Sequence, residues 1–164
     1  MRQFLTPGLL WFSAIGCGLM AGVYFAFSTF VMTSLARLGP AGATMMNAFI
    51  ADIGKSLFMP VFLLTTLTSA ALAVMAMFRW GQSGSVAMLV GGVLYVLGMF
   101  VVTMVFNQPL NEALAAADPA STEGAALWAR YVSQWTFWNH VRTIASTGSF
   151  VMFVLALILT SRQQ

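Results

Sequence analysis

The chain has 164 residues, of which 60% are hydrophobic and 7% charged, with a mean hydropathy of +0.88 and a net charge of +3. Soluble domains carry about 25% charged residues, so this composition excludes an ordinary water-soluble fold. The seven basic and four acidic residues form no basic patch, which leaves no nucleic-acid footprint.

Four long apolar runs cover residues 9–35, 58–78, 86–106 and 141–160, and nearly every charge lies between them. A helix needs about 20 mostly apolar residues to cross the hydrocarbon core. The runs predict an all-α integral membrane four-helix bundle, a single domain over residues 1–164 that contacts the lipid bilayer. Short interfacial helices are expected in the first and third connections.

The first run is longer than the apolar core of a cleavable signal peptide, and no charge falls between Arg2 and Arg37. It is expected to stay in the membrane. Within it Ala14, Gly18, Gly22 and Ala26 recur every four residues, a small-residue stripe of the kind that lets membrane helices approach closely. The stripe serves packing inside the bundle or a homo-oligomer contact. Cys17, Tyr24 and Ser28 form a neighbouring stripe, and polar groups at that depth face protein or a cavity.

The connection 36–57 is amphipathic. Met45, Met46, Phe49, Ile50 and Ile53 fall on one side, with Asn47, Asp52 and Lys55 elsewhere. This pattern reads as a helix lying at the membrane surface or lidding the bundle.

The connection 107–142 carries most of the candidate chemistry. Asn107 and Asn111 stand four apart, with Pro109 between them. That proline is expected to kink or end the third span. Asp118-Pro119 reads as an N-cap followed by proline at the first helical position, opening a helix that continues through the fourth span. Wound at roughly 100° per residue, this helix gathers Trp128, Tyr131, Trp135, Trp138, Asn139, Arg142, Ser146 and Ser149 into one sector. An interfacial aromatic belt faces outward and has no use for Asn139 and two serines on the same side. The stripe is therefore read as one wall of a pocket at a membrane face. His140 is turned about 100° away from Asn139. It is the only side chain of this chain that ordinarily titrates near neutrality.

A protein-built zinc site takes about three or four ligands, and one cysteine with one histidine supplies no such cluster. No metal site is expected, and phosphate-binding glycine loops and a nucleophilic triad are likewise missing from the sequence. Four spans put both termini on one membrane side. That side carries Arg2, Arg79 and Arg162 and no acid; the other carries Arg37, Lys55, Arg130, Arg142 and all four acids. The counts are nearly even. The expected orientation has both termini in the cytoplasm.

The segment 18–32 with Tyr24 and Ser28, the run Asn107-Gln108-Pro109-Leu110-Asn111, Trp128-Ala129-Arg130-Tyr131, and the run from Trp135 through Trp138, Asn139 and His140 to Arg142 together resemble the anthrone oxygenase-like family. These are small four-span membrane proteins with many bacterial members, so the resemblance implies a bacterial inner membrane. It also implies oxidation of an anthrone to an anthraquinone by O2, a monooxygenase reaction without cofactor. On that reading Asn139, Asn107, Asn111 and Arg142 stabilise an enolate oxygen, and Trp135 and Trp138 stack on a hydrophobic aromatic substrate. Tyr131, Tyr24 and Ser28 complete its surroundings. His140 is the base, provided that it reaches the donors. Two other readings use the same residues: a haem- or quinone-binding redox protein with His140 as axial ligand, and a non-enzymatic small-molecule binder or accessory subunit.

Overall fold

The computed structural model describes residues 2–162, with side chains from Thr6 onward. Four of its helices are long and apolar enough to cross a membrane: Thr6–Arg37, Phe58–Phe78, Ser85–Ala116 and Thr122–Ser161. No strand occurs among the described residues.

The first span comprises α1 (Arg2–Ala26), a π-helical turn (Phe27–Val31) and α2 (Met32–Arg37). Helix α3 (Pro40–Lys55) follows a tight corner at Gly39, whose φ of 57° lies in the left-handed region that favours glycine. The second span is α4 (Phe58–Phe78). The third runs without interruption from α5 (Ser85–Val93) through π-helical stretches Leu94–Val101 and Thr103–Asn107 into α6 (Gln108–Ala116). The last is α7 (Thr122–Ser161), a single helix of 40 residues.

Two local expectations are corrected here. Of the two outcomes expected at Pro109, an end to the third span does not occur: the helix runs on to Ala116. A proline ring collides with the carbonyl four residues back in an α-helix, and the wider π turn at Thr103–Asn107, immediately upstream, relieves that crowding. Helix α7 starts three residues later than Asp118-Pro119 implied. Its N-cap is Ser121, whose Oγ accepts from the Gly124 N–H at 2.9 Å. Asp118 instead accepts from the Ala120 N–H at 2.9 Å, closing a turn ahead of the helix.

Each span packs on its neighbours in chain order. α1 meets α4, α4 meets α5, α5 meets α7, and α7 returns along α1 in the most extensive of these contacts. The small-residue stripe divides between uses. Ala14 is buried inside the bundle, Gly18 faces Phe150 of α7, and Gly22 has open space beside it. α3 presents Met46 inward with Ile50 and Ile53, and Asn47 ties it to the Leu114 carbonyl at 3.3 Å. Met45 and Phe49 turn outward, contrary to the single apolar face expected. A helix enclosed between bundle and bilayer is apolar on both sides.

Two buried cores result. One lies within the spans and includes Leu10, Met20, Tyr24, Phe62, Tyr95, Met99 and Phe153. The other joins α2, α3, α6 and the first half of α7 through Met32, Leu35, Met46, Leu114, Trp128, Tyr131 and Trp135. α7 belongs to both because its length far exceeds the membrane. At 1.5 Å per step, the 20 residues from Arg142 to Ser161 rise about 29 Å, close to the roughly 30 Å hydrocarbon core. The residues of α7 before Arg142 are therefore more than one crossing needs.

Candidate functional site

A cavity of about 270 Å³ opens at the seam between the two cores. Its walls come from every span and from α3: Tyr24 and Phe27 from the first, Phe58 and Phe62 from α4, Thr103 and Met104 from the third, and Trp135 and Arg142 from α7. Met46, Ile50 and Ile53 of α3 cover it. Tyr24, Thr103 and Arg142, one from each of three spans, come to one level, where the Arg142 guanidinium contacts both of the others.

Arg142 is the centre of this wall. It is 4% exposed, and no carboxylate lines the cavity. Asp52, Glu112, Asp118 and Glu123 are all exposed on the surface. The guanidinium lies between two aromatic faces, 4.4 Å from the Tyr24 ring centroid and 4.8 Å from that of Trp135. Each such contact is worth about 2 kcal/mol when desolvated. Burial of an unpaired ion costs several kcal/mol, so the aromatic sandwich offsets only part. Nη2 donates to Asn139 Oδ1 at 2.8 Å and Nη1 to Thr103 Oγ1 at 3.5 Å, while Nε has no partner. The cation is thus held in place without being neutralised.

Asn139 fixes that geometry. Its Nδ2 donates to the Tyr24 carbonyl and to Ser28 Oγ, each at 2.8 Å, leaving Oδ1 aimed at Arg142. Ser28 also pairs with Thr143 at 2.9 Å. The backbone of Tyr24 belongs to the helix just before the π turn Phe27–Val31. There the widened winding frees carbonyls from the regular ladder, and a side chain of α7 takes up Tyr24's oxygen.

Asn111 is locked from the other direction. Its Oδ1 accepts from Tyr131 Oη at 2.8 Å and from Trp135 Nε1 at 3.0 Å. Both partners donate, so the oxygen is the atom facing them, and the amide nitrogen is left for the cavity that Asn111 lines. Asn107, fully buried, donates to the Trp135 carbonyl at 3.2 Å and keeps Oδ1 without a partner.

The structure therefore brings Tyr24, Asn111, Trp135 and Arg142 to the cavity, with Ser28, Asn107, Tyr131 and Asn139 bonded behind them. Two expected residues lie apart. Trp138 is half-buried and stacks on Phe106 at 3.6 Å between centroids, outside the cavity. His140 is exposed and lines no part of it. A regular α7 turns residue 140 away from both 139 and 142. Sequence reading missed Thr103, although Thr103, Asn107 and Asn111 repeat every four residues and form a polar stripe on the third span. It also missed Phe58 and Phe62, whose side chains carry no polar signal.

Comparison with known families finds one whose model, described as anthrone oxygenase, matches residues 45–152. The match covers most of the chain, from α3 to within α7. The chain belongs to the anthrone oxygenase family. Asn107, Asn111, Tyr131, Trp135, Asn139 and Arg142 all lie inside the stretch shared with that family, whereas Tyr24 and Ser28 precede it. No curated protein and no solved structure matches the chain. Among the described residues no three His, Cys, Asp or Glu side chains come together to hold a metal ion.

Proposed function

We propose that the protein is a membrane-embedded oxygenase that takes a planar, hydrophobic aromatic ketone of the anthrone type as its enolate and oxidises it with O2, without a cofactor of its own. The observation that carries this reading is the buried, unneutralised guanidinium of Arg142 facing an apolar cavity with Nε unpartnered. A cation held this way in low dielectric favours whatever bound group develops negative charge. Family membership supplies the type of substrate.

The chemistry needs little more. The methylene between the aromatic rings loses a proton because the resulting anion delocalises into an aromatic enolate. Its oxygen meets Arg142, and the Asn111 amide nitrogen offers a second donor. The aromatic walls pack against the flat rings. The carbanion carbon passes one electron to O2, and the resulting pair combines into a C–O bond, giving a hydroperoxide anion that takes up one proton. Loss of the remaining C–H proton with cleavage of the O–O bond yields the ketone and one water. Overall, a CH2 group and O2 become C=O and H2O. No imidazole or carboxylate lines the cavity, so the reading gives His140 no proton-transfer step: the first proton leaves to water as the anion is bound.

The same reading places the protein in a bacterial inner membrane with both termini cytoplasmic and the pocket at the opposite face. Arg79 and Arg162 on the terminal side, with no acid there, support this orientation. A C-terminal green fluorescent protein fusion is expected to fluoresce, and a C-terminal alkaline phosphatase fusion to be inactive.

The direct test is oxygen uptake with anthrone by purified protein in lipid nanodiscs, followed by quinone absorbance. The proposal expects one O2 consumed per quinone formed, and loss of at least about 100-fold in rate in Arg142→Met. Binding without turnover would instead support a small-molecule binder.

A further inference from the structure

The cavity has a deep end and a rim. Arg142, Tyr24 and Phe62 are buried, whereas Gly54, Met104 and Gln108 line the same cavity and are exposed. The opening therefore lies on the side of the bundle, between the end of α3, the start of α4 and the third span. Leu57, 83% exposed, follows Gly54 closely, and Met59 is half-buried on the same wall. Gln108 on the rim donates to Glu112 at 3.1 Å, and Lys55 and Ser56 lie exposed after Gly54, while the α4 side of the opening, at Leu57 and Met59, is apolar. That apolar side would be unfavourable in water; against lipid it is continuous with the surrounding solvent, with the polar fringe toward the headgroups.

Gly54 stands out within this rim. An added Cβ there meets nothing within 4 Å, and its φ is not in the left-handed region. Neither backbone conformation nor packing requires glycine at this position. This contrasts with Gly42 of the same helix, where an added Cβ would run into the Leu35 carbonyl. The space beside Gly54 belongs to the opening itself.

We infer that substrate passes sideways between the bilayer and the cavity through this portal, and that Gly54 sets the width of the ring system admitted. The inference rests on the reading of the cavity as a substrate site, and it adds the route and a specificity-determining residue. A flat polycycle dissolved in the membrane slides past Gly54 between Met59 and Met104, whose flexible thioethers adjust to its edges, and reaches Arg142 with its oxygen leading. A bulky side chain at position 54 closes the route without touching the deep end.

The test uses a reporter cysteine at Val23, a half-buried lining residue, in full-length protein reconstituted into phosphatidylcholine vesicles. The native Cys17 is buried, so unmodified protein is the blank. Labelling of Val23→Cys by N-phenylmaleimide, an apolar reagent, is compared with labelling by a sulfonated, membrane-impermeant maleimide, and read by intact-mass spectrometry. Expected results are faster labelling by the apolar reagent, a slowing of at least about tenfold on adding Gly54→Phe, and little change on adding Gly54→Ala. Labelling of the Gly54→Phe variant at the parent rate, or equal rates for the two reagents, overturns the inference. Met104→Trp on the opposite rim gives an independent second blockade with the same expected slowing, should Gly54→Phe fold poorly. Turnover separates the two claims. If unmodified protein fails to oxidise anthrone while the labelling pattern holds, the oxygenase reading falls and the portal stands. If anthrone is oxidised equally by parent and Gly54→Phe, the portal falls and the oxygenase reading stands.

Discussion

At the scale of single residues, Arg142 pulls stability and function in opposite directions. Replacing an unpaired buried cation with an apolar side chain of similar length removes a desolvation cost of several kcal/mol, and apolar replacement even of paired buried ions has stabilised proteins by about 1–4 kcal/mol. Arg142→Met is thus expected to raise the thermal midpoint in detergent while abolishing ligand binding. A purely structural arginine would give the reverse, a lowered midpoint. Tyr24 divides by group. Its hydroxyl points at Met99 Sδ, 3.7 Å away, while its ring faces the guanidinium. Tyr24→Phe should leave turnover within about twofold, and Tyr24→Leu should lose about 2 kcal/mol of transition-state stabilisation, read as kcat/KM. Asn139 and Arg142 were legible in the sequence because polar residues on one helical sector within an apolar span have to face protein. The unpartnered Nε was not, since it depends on where Thr103 and Asn139 direct their oxygens.

At the scale of elements, tight crossings hold the spans that form the cavity. An added Cβ at Gly92 would lie 2.5 Å from the Ser69 carbonyl oxygen and 2.7 Å from Ala73 Cβ, so α4 and α5 touch backbone to backbone there. Gly92→Val is expected to destabilise the protein by about 1–3 kcal/mol, measured by thermal unfolding in detergent. α3 is held more lightly, partly through Asn47 to the Leu114 carbonyl. Asn47→Ala should speed amide hydrogen exchange across Pro40–Lys55 and weaken binding, with global stability falling by no more than about 1.5 kcal/mol. The spans themselves were readable from apolar length alone. The continuity of the third span was not, because a proline rule that holds for α-helices yields where a π turn widens the coil just before it. The start of α7 was misplaced because Asp118 and Ser121 are both good caps, and only the backbone path decides between them.

At the scale of the whole molecule, two cores meet, and the cavity occupies their seam. The core within the spans mixes small, aliphatic and sulfur-containing residues with Tyr24, Phe62, Tyr95 and Phe153, while the second core stacks Trp128, Tyr131 and Trp135 along α7. Such a seam gives apolar walls from one side and locked polar groups from the other, which suits an amphiphilic ring ketone. Helix number, membrane class and the polar wall of α7 could be read from the chain. Closure of the cavity by α3 and by Phe58 and Phe62 of α4 could not, because apolar lining residues look like any other core. The central claim is that Arg142 stabilises the substrate as its oxyanion. Anthrone titrated into the protein in nanodiscs under argon tests it most directly, because the enolate absorbs at longer wavelength than the ketone. The account predicts an enolate band at neutral pH in unmodified protein, none in Arg142→Met, and conversion of that band to quinone absorbance when O2 is admitted. An absent band in unmodified protein, or a band of equal strength in Arg142→Met, would contradict it.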